Sequence, residues 1–263
     1  MTPNRRMDSF KHYILTRFNA GLYDPKTALR VPPDLWMEHR LRLFATITLP
    51  SIAGQTCQNF TWLVLMDRRT PERYIRTLES SGYANMKLIY PTDGRIPWLQ
   101  SFAPGRYDLI TTRIDNDDAF HRDTVKTLQA TWTAQHAERE KPWVIVFPFG
   151  LIMDLTDRRA WFMEYWLNNC PTLVESSEDP RSICQWGHCR IPREVKKHYI
   201  KDKPYWVQVI HAQNLKNVVD SDNPFRMVRK DVPARPEHLW HFGIDPDALP
   251  GAGGGTPAPA ASP

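Results

Sequence analysis

Asp115, Asn116, Asp117 and Asp118 follow directly on the apolar stretch 109–114, so three carboxylates crowd the point where a buried strand is predicted to end. Carboxylates this close repel one another and push one member toward protonation unless a cation neutralises them. A divalent metal is the simplest neutraliser, and oxygen-liganded Mn²⁺ or Mg²⁺ suits Asp115 and Asp117. In an extended backbone these two side chains point the same way, roughly 7 Å apart. They share one ion only if the chain turns here, or if one of them acts through a bound water. The alternative is an acidic turn in which Asp118 caps the helix that starts near Arg122 or Asp123.

The elements that must carry this cluster read as alternating strands and helices. Strands are predicted at 10–18, 61–66, 86–90 and 109–114, and helices at 35–49, capped by Asp34, after Thr70-Pro71, and at 123–136. A further strand at 143–147 is expected to continue past Pro148 into 150–153. Such alternation predicts an α/β fold with a mostly parallel sheet flanked by helices, and in open sheets of this kind ligands gather beyond the carboxyl ends of the strands. Thr16 and Arg17 close the first strand and Asp67 the second, so these three also face that edge. Trp161, Phe162, Tyr165 and Trp166 form an aromatic patch that is either core-facing or a stacking platform. His211, in the apolar run 206–211, is an ordinary hydrogen-bonded residue or a ligand.

Several stretches resemble one family. They are 10–19 (FKHYILTRFN), Leu43-Phe44 through Thr48-Leu49-Pro50-Ser51-Ile52 with Gln55, WLVLMD at 62–67 with Thr70-Pro71, TRIDNDDA at 112–119, and YWVQVIH at 205–211 with Asn214. Together they are similar to the putative rhamnosyltransferase family of bacteria, over about residues 10 to 230. The resemblance implies a GT-A-like (Rossmann-like) glycosyltransferase domain that moves a sugar such as rhamnose from a nucleotide-diphosphate donor to a saccharide or lipid-linked acceptor. It implies Asp115, Asp117 and a late histidine, His211, as metal ligands, with Asp67 on the nucleoside. Thr16, Arg17, Arg113 and Asn116 are expected near the nucleotide sugar, and Asn214 beside His211. Asn116 departs from the small residue expected in the middle of the motif, a position that need not ligate. His188 is a weaker candidate ligand. The general base is not fixed by the motif, and Glu175, Glu178 and Asp179 are the acidic candidates in the later part of the chain.

The 263 residues, 41% hydrophobic, suit one domain. It is expected to span 10–245, with a nucleotide-sugar half at 10–120 and an acceptor half at 121–245, between a flexible 1–9 and a disordered Gly/Ala/Pro-rich tail at 246–263. A net charge of +5 fits a phosphate-bearing ligand. The basic residues are scattered; the nearest cluster, Arg193, Lys196, Lys197, Lys201 and Lys203, reads as a solvated face that could touch an anionic membrane rather than nucleic acid. No apolar run of about 20 residues and no signal-peptide core is present, so a cytoplasmic enzyme, peripheral at the inner membrane face, is expected. Four cysteines fit reduced thiols, and Cys184, His188 and Cys189 lack zinc-ligand spacing.

Two other classes compete. Metal-dependent phosphoryl transfer or hydrolysis requires a second acidic group near the first. A non-catalytic polyanion-binding protein would use the ten tryptophans for stacking and leave the aspartates unexplained.

Overall fold

The computed structural model describes residues 9–27, 29, 31–91, 106–136, 140–166, 170–186, 190–214 and 226–249. The terminal segments expected to be flexible, apart from a few residues at their inner ends, lie outside these, as does His188.

In chain order the strands are β1 (Phe10–Arg17), β2 (Thr61–Leu65), β3 (Met86–Ile89), β4 (Asp108–Arg113), β5 (Ala119–Phe120), β6 (Trp143–Val146), β7 (Phe149–Asp154), β8 (Arg159–Tyr165), β9 (Thr172–Ser176), β10 (Lys196–Tyr199), β11 (Trp206–Ile210) and β12 (Arg226–Pro233). The helices are α1 (Pro33–Leu43), which runs through a π-helical segment (Phe44–Thr48) into α2 (Leu49–Ala53), then α3 (Glu72–Glu79), α4 (Thr124–Gln135) and the short α5 (Pro236–Trp240).

The fold is α/β with a parallel-rich main sheet. That sheet has the order β10-β6-β9-β4-β1-β2-β3, with β4, β1, β2 and β3 mutually parallel and β9 inserted antiparallel between β4 and β6. Strand β4 is buried along its whole length, as a strand covered on both faces must be. A second sheet, β12-β8-β7-β11-β5, was not foreseen.

Two local expectations are corrected, and of the two readings of the aromatic patch the core-facing one holds. The strand at 143–147 does not pass through Pro148, because proline has no N–H for the ladder; β6 ends in one sheet and β7 begins in the other. Asp34 lies inside α1, which starts behind Pro32 without a side-chain cap, and its carboxylate instead holds Arg73 at 2.7 Å and accepts from the Tyr74 hydroxyl at 3.0 Å. The aromatic patch is a strand in a β7–β8 hairpin, with Trp161 and Tyr165 turned into the core.

At the seam between β7 and β11 in the second sheet, Gly150 lies flat against the Trp206 indole: a Cβ there would sit 2.2 Å from the ring. The indole N–H donates to the Phe147 carbonyl at 2.8 Å, which fixes the ring in place. No disulfide joins Cys57, Cys170 or Cys184. No helix among the described residues is long and apolar enough to cross a membrane.

Candidate functional site

Because β1, β2 and β4 are parallel neighbours, with Arg17 level with Leu65 and Leu15 level with Arg113, their carboxyl ends share one edge. The acidic turn leaves β4 at that edge. From the second sheet, β11 delivers His211 to the same place, and α1 crosses above it.

The cluster is built around Asp117, which is 5% exposed. Its Oδ2 lies 2.5 Å from Arg40 Nη1 and 3.0 Å from His211 Nε2. The Gln213 backbone N–H donates to His211 Nδ1 at 3.2 Å, which leaves the ring proton on Nε2 and makes His211 the donor to Asp117. His39 Nε2 is 3.1 Å from the same Nδ1. Burial works against the Asp117 carboxylate, but the Arg40 charge and the His211 hydrogen bond outweigh it and bring its pKa down to about 2. Burial lowers the His39 pKa to about 4, so its ring is neutral at pH 7.

The other members of the turn are held separately. Asn116 accepts from the same Arg40 Nη1 at 3.0 Å and donates to the Phe18 carbonyl at 2.9 Å, tying the turn to the end of β1. Arg113 grips Asp115 Oδ1 at 3.1 Å through Nη2; this is the most exposed carboxylate of the three, its side chain 30% accessible. Asp118 does not cap α4. Its Oδ1 accepts from the Val209 N–H at 3.0 Å, bracing β11, and burial together with the charges of Asp117 and Asp115 pushes its pKa well above the usual carboxylate range.

As arranged, these donors do not fit a metal ion. Among the described residues no three His, Cys, Asp or Glu side chains gather as a ligand set. Guanidinium groups stand against both proposed carboxylate ligands, and His211 Nε2 is protonated toward Asp117.

The remaining predicted residues divide. Arg17 is exposed at the shared edge. Asp67 is there too, but Arg69 in its own turn holds it through a guanidinium pair at 2.9 and 2.8 Å; that hydrogen bonding lowers its pKa. Asn214 accepts from the His211 backbone N–H, closing the turn beyond β11. Thr16 is fully buried, its hydroxyl accepting from the Trp62 indole at 2.9 Å, so it is a core contact and not part of the edge.

The base candidates lie at the wrong edge. Glu175 pairs with Leu109 at the start of β4, six residues and so roughly 20 Å from Asp115. It accepts from the Arg181 and Ser182 backbone N–H groups, and burial raises its pKa to about 7. Glu178 is paired with Arg106 and Asp179 with Arg181. All three organise the loop after β9.

Arg40 and His39 were missed from sequence. The available signal was an arginine on the buried face of α1, three residues after Met37 and three before Leu43, where a charged side chain is rarely found unless paired.

Among solved structures, residues 1–349 of Staphylococcus aureus TarS in complex with UDP are similar at 13% identity, covering 76% of this chain and 61% of that chain, with a TM-score of 0.42. A longer S. aureus TarS structure is similar at 15% identity, covering 77% and 37%, with a TM-score of 0.42. A putative glucose-1-phosphate thymidylyltransferase from Bacillus anthracis in complex with a sucrose gives 13% identity, 75% and 89% coverage and a TM-score of 0.34. The chain thus spans less than two thirds of the TarS structures it resembles. No curated protein sequence matches it. The model of one family, described as "Putative rhamnosyl transferase", matches residues 22–221, most of the chain, and the protein belongs to that glycosyltransferase family.

Proposed function

We propose that the protein transfers a deoxyhexose such as rhamnose from a nucleotide-diphosphate donor to a saccharide or lipid-linked hydroxyl, at the edge where the acidic turn, α1 and β11 meet. The observation that carries this is the buried Asp117 held between Arg40 and His211. Burying a carboxylate and a guanidinium together is costly in desolvation and weak as a source of stability, so a network of this kind at a sheet's carboxyl edge favours a positioning role. In glycosyl transfer the departing diphosphate gathers negative charge, and preorganised cations at the point of departure lower the barrier. Arg17, Arg40 and Arg113 are cations of this edge, alongside Arg69 on Asp67. Asp67 is the proposed nucleoside contact, reached when the exposed Arg69 side chain releases it.

Mn²⁺ or Mg²⁺ on Asp115 and Asp117 with His211 is the finer proposal, and it requires Arg40 to leave Asp117. As arranged, the guanidinium of Arg40 occupies Asp117 in place of such an ion. For a lipid-linked acceptor, Lys196 and Lys201 near the β10 edge are the proposed contacts with an anionic membrane surface. Phosphoryl transfer loses support because the second acidic group it requires, Glu175 to Asp179, sits at the opposite edge.

The test is release of nucleoside diphosphate from dTDP-, UDP- and GDP-sugars, with Mn²⁺ and with EDTA. Turnover that Asp115→Asn cuts at least a hundredfold, in a variant that still melts like the wild type, is the expected result. Undiminished turnover in that variant contradicts the site. Loss of turnover in EDTA favours the metal, and its persistence favours Arg40.

A further inference from the structure

A cavity of about 590 Å³, away from the acidic turn, opens between β5, β8, the start of β11 and the segment around α5. Its polar lining is almost entirely of donors. The Asp123 N–H donates to His121 Nδ1 at 3.1 Å and the Arg235 N–H to His238 Nδ1 at 2.8 Å, so both rings carry their proton on Nε2. His121 is only 7% exposed, and its Nε2–H has no partner among the described residues. The guanidinium of Arg122, exposed at the rim, likewise has none among them. The nearby carboxylate, Asp123, is already taken by Lys203 at 2.9 Å. Phe162 and the His238 ring meet edge to face on one wall, their centroids 5.2 Å apart, and Phe242 closes the other.

A pocket that offers N–H donors and an unpaired cation selects an acceptor-rich, anionic group, and flat apolar walls suit the C–H faces of a sugar ring. The location is distinct from the acidic turn. The His121 N–H bonds the Tyr205 carbonyl just before β11 begins, whereas His211 follows the other end of that strand, six residues and roughly 20 Å away.

We infer that this cavity binds an anionic saccharide unit, a sugar bearing a phosphate or a carboxylate, independently of the nucleotide site. The shared chemistry is a pyranose ring with a charged oxygen group, seated against Phe162 with its anion on Arg122 and the His121 and His238 Nε2–H groups. This holds whether or not the protein is a transferase of the kind proposed above.

Calorimetric titration of the full chain with α-D-glucose 1-phosphate, D-glucuronate, D-glucose and inorganic phosphate tests it. Glucose 1-phosphate or glucuronate should bind at least tenfold more tightly than glucose and than inorganic phosphate, the better of the two showing which anion the site takes. Arg122→Ala, at an exposed position, should weaken that binding about tenfold at unchanged melting temperature, the size expected for one charge-assisted hydrogen bond, and His238→Gln, at a half-buried position, should weaken it by a similar factor. Asp115→Asn should leave it unaltered. Absence of binding for both anionic sugars, affinity for inorganic phosphate equal to that for the sugars, indifference to both pocket variants, or displacement by UDP would each overturn the proposal.

Discussion

At the scale of the residue, the buried middle of the acidic turn is organised by one guanidinium. Arg40 holds Asn116 and Asp117 together and, through Asp117, faces His211. Removing it by Arg40→Ala strands a buried carboxylate and should destabilise folding by roughly 3 to 5 kcal/mol, as measured by chemical denaturation. A loss below about 1 kcal/mol would mean that Asp117 finds water or another partner instead. Asp118 should behave differently. Its environment already favours the protonated form, so the isosteric Asp118→Asn should keep both the fold and turnover within a few-fold of wild type; a hundredfold loss of turnover would place its negative charge in the chemistry. The acidic turn was legible because four polar residues interrupt an apolar run. Arg40 and His39 were not, since each finds its partner only across a sequence gap that folding closes. The burial of Thr16 was equally hidden: a threonine at the end of a strand reads alike whether it faces solvent or the Trp62 indole.

At the scale of the element, alternation of apolar strands with helical stretches revealed the parallel half of the main sheet, β1 to β4, because β1, β2 and β4 are largely buried apolar runs and the half-buried edge strand β3 is still a short apolar stretch flanked by turn residues. The second sheet stayed hidden because β5 is two residues long and β7 and β8 could be read as a continuation and an aromatic patch. Their join to β11 depends on the absence of a side chain at Gly150. Gly150→Ala should destabilise by about 1 to 3 kcal/mol through overpacking against Trp206, seen as a lower denaturation midpoint with an unchanged slope. If the variant melts like the wild type, the indole is free to move and the seam is looser than described. The same reasoning moves the acidic candidates Glu175, Glu178 and Asp179 out of the chemistry: β9 runs antiparallel to β4, so a loop late in sequence returns to the far edge of the sheet. Strand direction of that kind is not written in local pattern.

At the scale of the whole molecule, two buried groups away from the carboxyl edge should give opposite pH dependences. Burial lowers His12 from 6.5 to about 3, and its ring sits between Thr112 and Gln129. The unfolded chain therefore binds a proton there at pH 5 while the folded one does not, so this residue's contribution falls as pH drops below about 6.5. Glu175 is raised from 4.5 to about 7, so the folded protein holds its proton where the unfolded chain has lost it, and its contribution falls as pH rises from 4.5 through 7. Melting curves at pH 7 and pH 5 should show the gap between wild type and His12→Gln shifting against the wild type on acidification, and the gap to Glu175→Gln shifting in its favour. Gaps that do not change with pH would contradict the burial of these two groups.

The most direct measurement is the melting temperature of wild type, Asp115→Asn and Glu175→Gln in the presence of UDP, dTDP and GDP, since a ligand that binds only the folded state raises it. At least one nucleoside diphosphate should stabilise the wild type and Glu175→Gln alike, and lose most of that effect in Asp115→Asn. Stabilisation that survives in Asp115→Asn, or its absence with all three nucleotides, would contradict the assignment of the β4 edge as the donor site.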